Sequence, residues 1–383
     1  MFVVADGARV LRIWSYNPPM KRGSLTTGQP GIAAMAIDAV RSAPGFGSRV
    51  DVAARVRIAG LGFGTAPIGN LYAEVGEDEA RDALERALRL GVRYFDTAPF
   101  YGHGLAERRL GRALVGSRRD GFAVSTKVGR RIESDPAQDA GVTDGFAVRG
   151  SRAVFDYSHD GVLRSFEASL ERLGLDRVDL LLLHDVGRLT HGDNHPEMLR
   201  KALDEALPAM AGLRDQGVVD AIGIGVNEVE VCRELMPRFD LDCIMLAGRY
   251  TLFEQASALP MLDDAQRRGV KVIVAGPYNS GLLGDPHGPG STYNYLPADR
   301  DTLERARTIY AICAEEGVDV GAAALQFPSA HPGVCAVVAG IRNVMEVESA
   351  LARSSQRLPT RIWPRLRGAG IIAAVAPVPG APA

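Results

Sequence analysis

The sequence contains few cysteines and no long hydrophobic segment. No two cysteines form a C-x-x-C pair, and the four that occur lie far apart: Cys232, Cys243, Cys313 and Cys335. This spacing argues against a disulfide framework and a cysteine-based zinc site. No apolar run approaches the roughly 20 residues that a membrane helix needs. Asp6 and Arg9 lie where a signal peptide would be apolar, so we expect a cytoplasmic protein without a membrane partner.

An excess of charge of one sign is also missing. The chain carries 44 basic and 46 acidic side chains, mixed along its length, for a formal net charge of -2. Nucleic acids and anionic surfaces attract proteins through a basic field, so we expect no nucleic-acid partner. His191-Gly-Asp193-Asn-His195 lies in a loop without further well-spaced ligands. We therefore expect no metal, and interpret His191 or Asp185 as a polar substrate contact.

Two common signatures of nicotinamide-dependent enzymes are absent as well. Gly60, Gly62 and Gly64 begin a dinucleotide fingerprint, but its third glycine would fall on Thr65, and Pro67 interrupts the helix that should follow. None of the ten tyrosines precedes a lysine by four residues. Both a Rossmann domain and the short-chain dehydrogenase class are therefore disfavoured.

What the sequence does contain is a regular alternation of strand and helix patterns from about residue 57 onward. The strand candidates are VRIAGLGFG, VRYFD, FAVSTK, DLLLLH, AIGIGV, CIMLA, VKVIVA and VCAVVAG. The helix candidates are Asp78 to Leu90, Leu105 to Val115, Asp160 to Leu173, Pro196 to Gln216, Glu228 to Met236, Ala256 to Arg268, Arg300 to Glu316 and Val344 to Arg353. Alternating strands and helices are typical of a parallel sheet, and eight of each predict a (β/α)8 TIM barrel.

The pattern also suggests domain limits. We expect a poorly patterned N-terminal extension over residues 1–55, the barrel over 56–355, and a C-terminal tail over 356–383. The end of that tail, AAVAPVPGAPA, is rich in proline and alanine and is interpreted as unstructured. Met20 and Met35 are alternative starts of translation. The sequence gives no indication of oligomeric state.

Four polar residues follow consecutive predicted strands. Asp96 ends the second strand, Tyr101 lies in the loop after it, Lys127 ends the third strand and His184 ends the fourth. The carboxyl ends of barrel strands share one face, where such barrels carry their chemistry, so we expect the four side chains to converge. The long loops 128–159, 185–195 and 276–299 should form the walls of the substrate pocket.

The residue types suggest proton transfer. A tyrosine has a pKa near 10, and we expect the ammonium group of Lys127 to lower the pKa of Tyr101. Asp96 would hold Lys127 protonated and in place. A neutral His184 would bind the substrate oxygen and orient it toward Tyr101. Such a set suits hydride transfer to or from a nicotinamide cofactor, which itself performs the redox step.

Three motifs carry a family resemblance: D-T-A-x-x-Y-G at 96–102, S-T-K at 125–127 and L-L-H-D at 182–185. Together with the strand count they resemble the aldo-keto reductase superfamily, from about Arg57 to Leu351. The resemblance implies that Asp96, Tyr101, Lys127 and His184 form a catalytic tetrad. It also implies that NAD or NADP binds in an extended form across the barrel mouth.

Further segments, including GTAPIGNLY, STKVGR and AGRYTLFEQ, are similar to the sugar-oxidising branch, with L-fucose, D-threo-aldose and pyridoxal dehydrogenases. That branch implies oxidation of a sugar hemiacetal at C1 to a lactone. Pyridoxal oxidation and general aldehyde or ketone reduction remain alternatives. A regulator that only senses bound nicotinamide is the alternative without catalysis.

The resemblance also indicates binding residues. The expected cofactor contacts are Thr65, Asp96, Asn227, Asn279, Ser280, Gly281, Leu282, Gly340, Arg342, Asn343 and Glu348. The expected substrate contacts are Phe100, His103, Asp185 and Tyr293. A carboxylate at Glu348 would repel the 2′-phosphate of NADP and suit a free ribose hydroxyl. NAD is therefore the expected cofactor, with some use of NADP through Arg342.

Overall fold

The computed structural model describes residues 58–138 and 145–380. The predictions of an N-terminal extension over 1–55 and of starts at Met20 or Met35 fall outside these ranges. All four cysteines lie within them, and none forms a disulfide bond among the described residues.

The described residues form a closed parallel barrel with two small hairpins. The strands are, in chain order, Gly60–Gly64 (β1), Tyr94–Asp96 (β2), Ala123–Val128 (β3), Arg130–Ser134 (β4), Ser151–Phe155 (β5), Val178–His184 (β6), Val219–Val226 (β7), Cys243–Ala247 (β8), Lys271–Ala275 (β9), Thr292–Tyr293 (β10), Leu296–Pro297 (β11) and Val334–Gly340 (β12). The barrel order is β1-β12-β9-β8-β7-β6-β3-β2, and β1 closes the ring by pairing with both β12 and β2. The predicted (β/α)8 barrel is confirmed.

Helices cover the outside of the barrel. They are Glu77–Arg89, Leu105–Leu114, His159–Leu173, Arg188–His191, His195–Lys201, Leu207–Asp215, Val229–Leu235, Leu259–Arg268, Arg300–Glu315, Val320–Gln326, Val344–Ser355 and Ile362–Gly368. The long helix expected over 196–216 contains a π-helical segment at Ala202–Ala206. Helix His159–Leu173 begins where the Ser158 hydroxyl accepts a hydrogen bond from the Gly161 amide, and ends at Gly174 in the left-handed conformation.

Two apolar layers explain why the barrel strands read as continuous hydrophobic runs. Every residue of β6 is buried, because Leu180 and Leu182 fill the barrel interior while Leu181 and Leu183 pack under the helices. This packing leaves the carboxyl ends of the strands as the place where polar side chains can lie together.

The C-terminal segment, from residue 356 to 380, is partly helical and partly buried. Helix Ile362–Gly368 forms there, and the chain beyond it buries Ile371 and Val378. The carbonyl oxygen of Ile371 accepts hydrogen bonds from Gln255 and Arg305 at 3.2 Å and 3.0 Å. The run that was expected to be unstructured, residues 373–383, contains no helix or strand as far as residue 380, but Ala376 and Val378 are buried in it. No helix of the described residues is long and apolar enough to span a bilayer.

Candidate active site

The carboxyl ends of three adjacent strands bring the predicted polar residues to one barrel mouth. Asp96 is the last residue of β2 and pairs in register with Ser125 of β3, while Lys127 of β3 pairs with Leu182 of β6. His184 ends β6. Asp96, Lys127 and His184 are all buried.

Lys127 and Asp96 form a buried ion pair. The ammonium nitrogen lies 2.8 Å from both carboxylate oxygens of Asp96 and donates a third hydrogen bond to the carbonyl oxygen of Thr97 at 2.9 Å. The Ser125 hydroxyl donates to Asp96 Oδ1 at 2.7 Å and lies 2.9 Å from the Tyr94 hydroxyl. All three donors of the ammonium are therefore used, which fixes its position.

Tyr101 lies beside this pair, but its acidity differs from the expectation. The Lys127 nitrogen is 4.7 Å from the centre of the Tyr101 ring. Burial raises the pKa of Tyr101 well above its ordinary value, and the charges of Asp96 and Asp185 raise it further. The expected lowering by Lys127 is wrong, because Asp96 neutralises that ammonium at hydrogen-bond distance. Tyr101 is a phenol at neutral pH.

His184 has the protonation state that the sequence suggested. Burial, followed by the charges of Arg130 and Lys127, holds the pKa of His184 well below its ordinary value. Its Nδ1 is buried without a hydrogen-bond partner among the described residues, and its ring centre lies 6.1 Å from that of Tyr101. A neutral imidazole at this place can either accept or donate one hydrogen bond.

Arg130, which the sequence analysis did not select, contributes a second buried ion pair. Its guanidinium binds the Asp185 carboxylate, whose Oδ2 lies 3.5 Å from His184 Nε2. The guanidinium carbon stacks 3.9 Å from the centre of the Phe100 ring and 4.5 Å from that of Phe155. Arg130 follows the STKVG segment directly, so its closeness to the strand end was the available signal.

The expected substrate residues fall into two groups. Phe100 and Asp185 surround Arg130, as just described. His103 is buried, and its Nδ1 lies 2.8 Å from the Ser151 hydroxyl. Tyr293 instead packs against Phe253, with ring centres 5.3 Å apart, so its expected place in the pocket is wrong.

The turn of the β10–β11 hairpin explains that error. Asn294 and Tyr295 both have positive φ, at 49° and 64°, which directs neighbouring side chains differently from an extended strand. Tyr295 lines the same cavity as Asp96 and Tyr101, whereas Tyr293 does not.

A cavity of about 960 Å³ runs from Asp96 and Tyr101 along the barrel mouth to Arg342 and Arg353. The expected cofactor residues among its lining are Asp96, Asn227, Asn279, Ser280, Gly281, Gly340 and Arg342. Asn279 Oδ1 is buried there without a partner among the described residues, and a side chain at Gly281 would meet open space. A cavity of this size with an unpaired amide oxygen fits a nicotinamide dinucleotide.

Four expected cofactor residues do not line this cavity. Thr65 is buried and donates its backbone amide to Asp96 O at 2.9 Å, and Leu282 is fully buried in the core. Asn343 caps helix Val344–Ser355 by accepting the Glu346 amide. Glu348 forms an ion pair with Arg86 at 2.7 Å.

Glu348 is therefore wrong as a cofactor contact, because its helix face turns toward helix Glu77–Arg89. Glu346, two residues earlier, lines the cavity instead. Its carboxylate accepts the backbone amide of Arg342 at 2.8 Å.

The histidine cluster proves to consist of separate contacts. His191 Nε2 lies 3.0 Å from the Tyr157 hydroxyl, and His195 Nδ1 lies 3.2 Å from the carbonyl oxygen of Val186. The Tyr157 hydroxyl also donates to the carbonyl oxygen of His184 at 2.8 Å. His191 therefore supports the chain around the tetrad through its bond to Tyr157.

Comparison with known proteins gives the same assignment as this geometry. Residues 60–370 match the model described as the Aldo/keto reductase family. The chain is 39% identical over 329 residues to a pyridoxal 4-dehydrogenase of Microbacterium luteolum, covering 82% of this chain and 95% of that protein. It is 38% identical over 326 residues to a D-threo-aldose 1-dehydrogenase of a Pseudomonas species, covering 84% and 96%.

A solved structure agrees with these relatives. The holo form of an aldo-keto reductase from Bacillus halodurans superposes with a TM-score of 0.62 at 26% identity, covering 83% of this chain and 94% of that one. The chain therefore belongs to the aldo/keto reductase family and is an oxidoreductase that works with a nicotinamide cofactor.

Proposed function

We propose that this protein oxidises the cyclic hemiacetal form of an aldose at C1 to its lactone, with Asp96, Tyr101, Lys127 and His184 as the catalytic residues. The observation that carries the proposal is the buried Asp96–Lys127 pair beside Tyr101 and a neutral His184. When bound, the nicotinamide cofactor accepts the hydride that leaves C1.

The side chains divide the proton transfer between them. Tyr101 has a raised pKa, so a phenolate is disfavoured as a resting base. The phenol can instead accept the C1 hydroxyl proton while passing its own proton to the neutral imidazole of His184, so that no charge accumulates on the tyrosine. Lys127, held by Asp96, lies 4.7 Å from the centre of the Tyr101 ring and keeps the tyrosine in position for this transfer.

The same site suggests where the cofactor lies. Asn227 and Asn279 line the part of the cavity near Tyr101 and can bind the nicotinamide amide. The loop at Ser280 and Gly281 can offer backbone N–H groups to the pyrophosphate. Arg342 and Glu346 lie at the far end, where the adenosine would be held.

We infer that NAD is preferred to NADP. Glu346 presents a carboxylate at the adenosine end, and Arg353, the second arginine there, is held by Asp319 at 2.7 Å. A 2′-phosphate would meet the unfavourable negative charge of Glu346, whose carboxylate also lies 3.5 Å from the guanidinium of Arg342.

Reversing the charge of Glu346 tests this preference. Wild type should favour NAD+ over NADP+ by about tenfold or more in kcat/KM, a difference of about 1.4 kcal/mol. Glu346→Arg should move the ratio toward NADP+. Glu348→Arg is the matched control, since that residue pairs with Arg86 outside the cavity. Equal use of both cofactors by wild type, or the same shift in both variants, would contradict the inference.

Pyridoxal is the second candidate substrate. Its cyclic form is also a hemiacetal, and a dehydrogenase of that specificity is among the relatives. Phe100 stacks on Arg130 beside His184, and Phe146 packs against Phe100 with ring centres 5.3 Å apart. These aromatic rings can pack against a pyridine ring.

A substrate panel decides the function. Purified protein with NAD+ is mixed with L-fucose, D-arabinose, L-galactose or pyridoxal, and formation of reduced cofactor is followed by absorbance and the lactone by mass spectrometry. Lactone from at least one aldose is expected. Reduction of simple aldehydes without oxidation of any panel member would indicate a general reductase. Tight binding of the cofactor without turnover of any substrate would indicate a nicotinamide sensor.

A further inference from the structure

Arg130 and Asp185 place two opposite charges in an aromatic part of the barrel mouth. The side chains are only 12% and 15% exposed. Phe100 and Phe155 stack on the guanidinium. Removing charged groups from water is costly even when they are paired, so a contribution to stability does not by itself explain this pair.

The pair retains unused hydrogen-bonding capacity. A guanidinium has five N–H donors, yet within the described part of the chain the Arg130 side chain makes one hydrogen bond, to Asp185, and its Nε is buried without a partner. The Asp185 carboxylate can accept several hydrogen bonds. A donor and an acceptor therefore lie side by side next to His184.

The backbone at Asp185 is also strained. Its φ of 52° lies in the left-handed region that side-chain-bearing residues rarely adopt. The position is held by its amide, which donates to Gly225 O at 2.9 Å, and by the Tyr157 hydroxyl, which donates to its carbonyl oxygen at 3.0 Å. Strain maintained beside a functional group is typical of a site.

We propose that Arg130 and Asp185 are the specificity-determining pair for the substrate, binding adjacent hydroxyl groups of a sugar ring. Each hydroxyl both donates and accepts, so a donor beside an acceptor matches two neighbouring hydroxyls. This inference rests on the proposed function, in which His184 binds the oxygen on C1. Because Asp185 Oδ2 lies 3.5 Å from His184 Nε2, the hydroxyls within reach are those on C2 and C3.

The test combines variants with deoxy substrates. Arg130→Met and Asp185→Asn are assayed on the best aldose of the panel and on its 2-deoxy and 3-deoxy forms. Both variants should raise KM for the parent sugar about tenfold or more, with a smaller change in kcat. For the deoxy sugar that lacks the contacted hydroxyl, variant and wild type should agree within about threefold, because the partner is already missing.

Controls separate recognition from folding. Arg131→Met removes the next arginine of the same strand, which pairs with Glu133 at 3.0 Å and Asp156 at 2.8 Å, and should leave KM unchanged. Arg130→Lys keeps the charge without the planar fork and should give an intermediate KM. Calorimetric titration with NAD+ should give the wild-type Kd for every variant.

The outcomes distinguish this inference from the proposed function. Equal loss on the parent and both deoxy sugars would assign the pair a purely structural role and overturn the inference, with lactone formation intact. Turnover of pyridoxal without turnover of any sugar would overturn it too, while hemiacetal oxidation stands. No lactone from any panel member would reject the proposed function and the inference together.

Discussion

Removal of the Asp96–Lys127 pair, one side chain at a time and then together, gives the sharpest test of how the site is held. The variants are Lys127→Met, Asp96→Leu and the double variant. Lys127→Met removes three hydrogen bonds and leaves the Asp96 carboxylate with the Ser125 hydroxyl as its remaining side-chain donor. Asp96→Leu leaves a buried ammonium with one carbonyl acceptor.

The expected magnitudes follow from burial. Both side chains are at most 3% exposed, and breaking a buried pair by removing one partner costs about 3–5 kcal/mol in the free energy of unfolding. Replacing both partners with apolar residues of similar volume is often close to neutral. The double variant should therefore be more stable than either single variant, with a coupling energy of about 2 kcal/mol or more.

Urea denaturation followed by circular dichroism measures these free energies at neutral pH. All three variants should lack activity, so stability and catalysis are read separately. If the two single costs simply add in the double variant, the pair is not the unit that stabilises the barrel mouth, and the reasoning fails.

Three further outcomes are expected from the site. Tyr101→Phe should lower kcat about a hundredfold or more while calorimetry with NAD+ gives an unchanged Kd; near-normal turnover would remove Tyr101 from the proton transfer. His184→Ala should raise KM as well as lower kcat in steady-state assays, because orientation of the substrate oxygen is lost along with the proton acceptor; an unchanged KM would deny it the orienting role. Thermal denaturation against pH should show stability falling below about pH 6.5 and above about pH 10. At low pH His184 takes up a proton more readily in the unfolded state, because its pKa is depressed in the fold. At high pH Tyr94, Tyr101 and Tyr157 ionise more readily in the unfolded state, because their pKa values are raised in the fold. A flat profile of stability against pH would contradict these shifts.

The barrel itself was readable from the chain because its signals are local. Strands covered on both faces give continuous apolar runs such as that of β6, and each amphipathic helix repeats its own period. Where tertiary contacts outweigh local composition, the prediction failed. The proline-rich end of the chain buries Ala376 and Val378 in the hydrophobic core, and the distant Arg305 donates a hydrogen bond to the carbonyl oxygen of the preceding Ile371.

The same distinction between local and tertiary signals applies to the prediction of the site residues. Asp96, Lys127 and His184 could be placed from sequence because each lies at the end of its strand, and parallel strands bring their carboxyl ends to one face. No such rule predicts from sequence which loop side chains face the cavity. Because Asn294 and Tyr295 form a turn with positive φ, Tyr295 lines the cavity in place of the expected Tyr293. In the same way Glu346 lines the cavity in place of Glu348, which lies two positions later in the helix.

By itself, then, the sequence determined the barrel and the strand-end positions of Asp96, Lys127 and His184, since periodicity and strand-end position are properties of neighbouring residues. Its motifs indicated the class of chemistry through their family resemblance. Tertiary structure alone decided the acidity of Tyr101 and the partner of Asp185. The pKa of Tyr101 depends on desolvation and on which charges Asp96 neutralises. Arg130 and Asp185, 55 residues apart in the chain, meet because two strands of one barrel are adjacent, and only the closed sheet places them there.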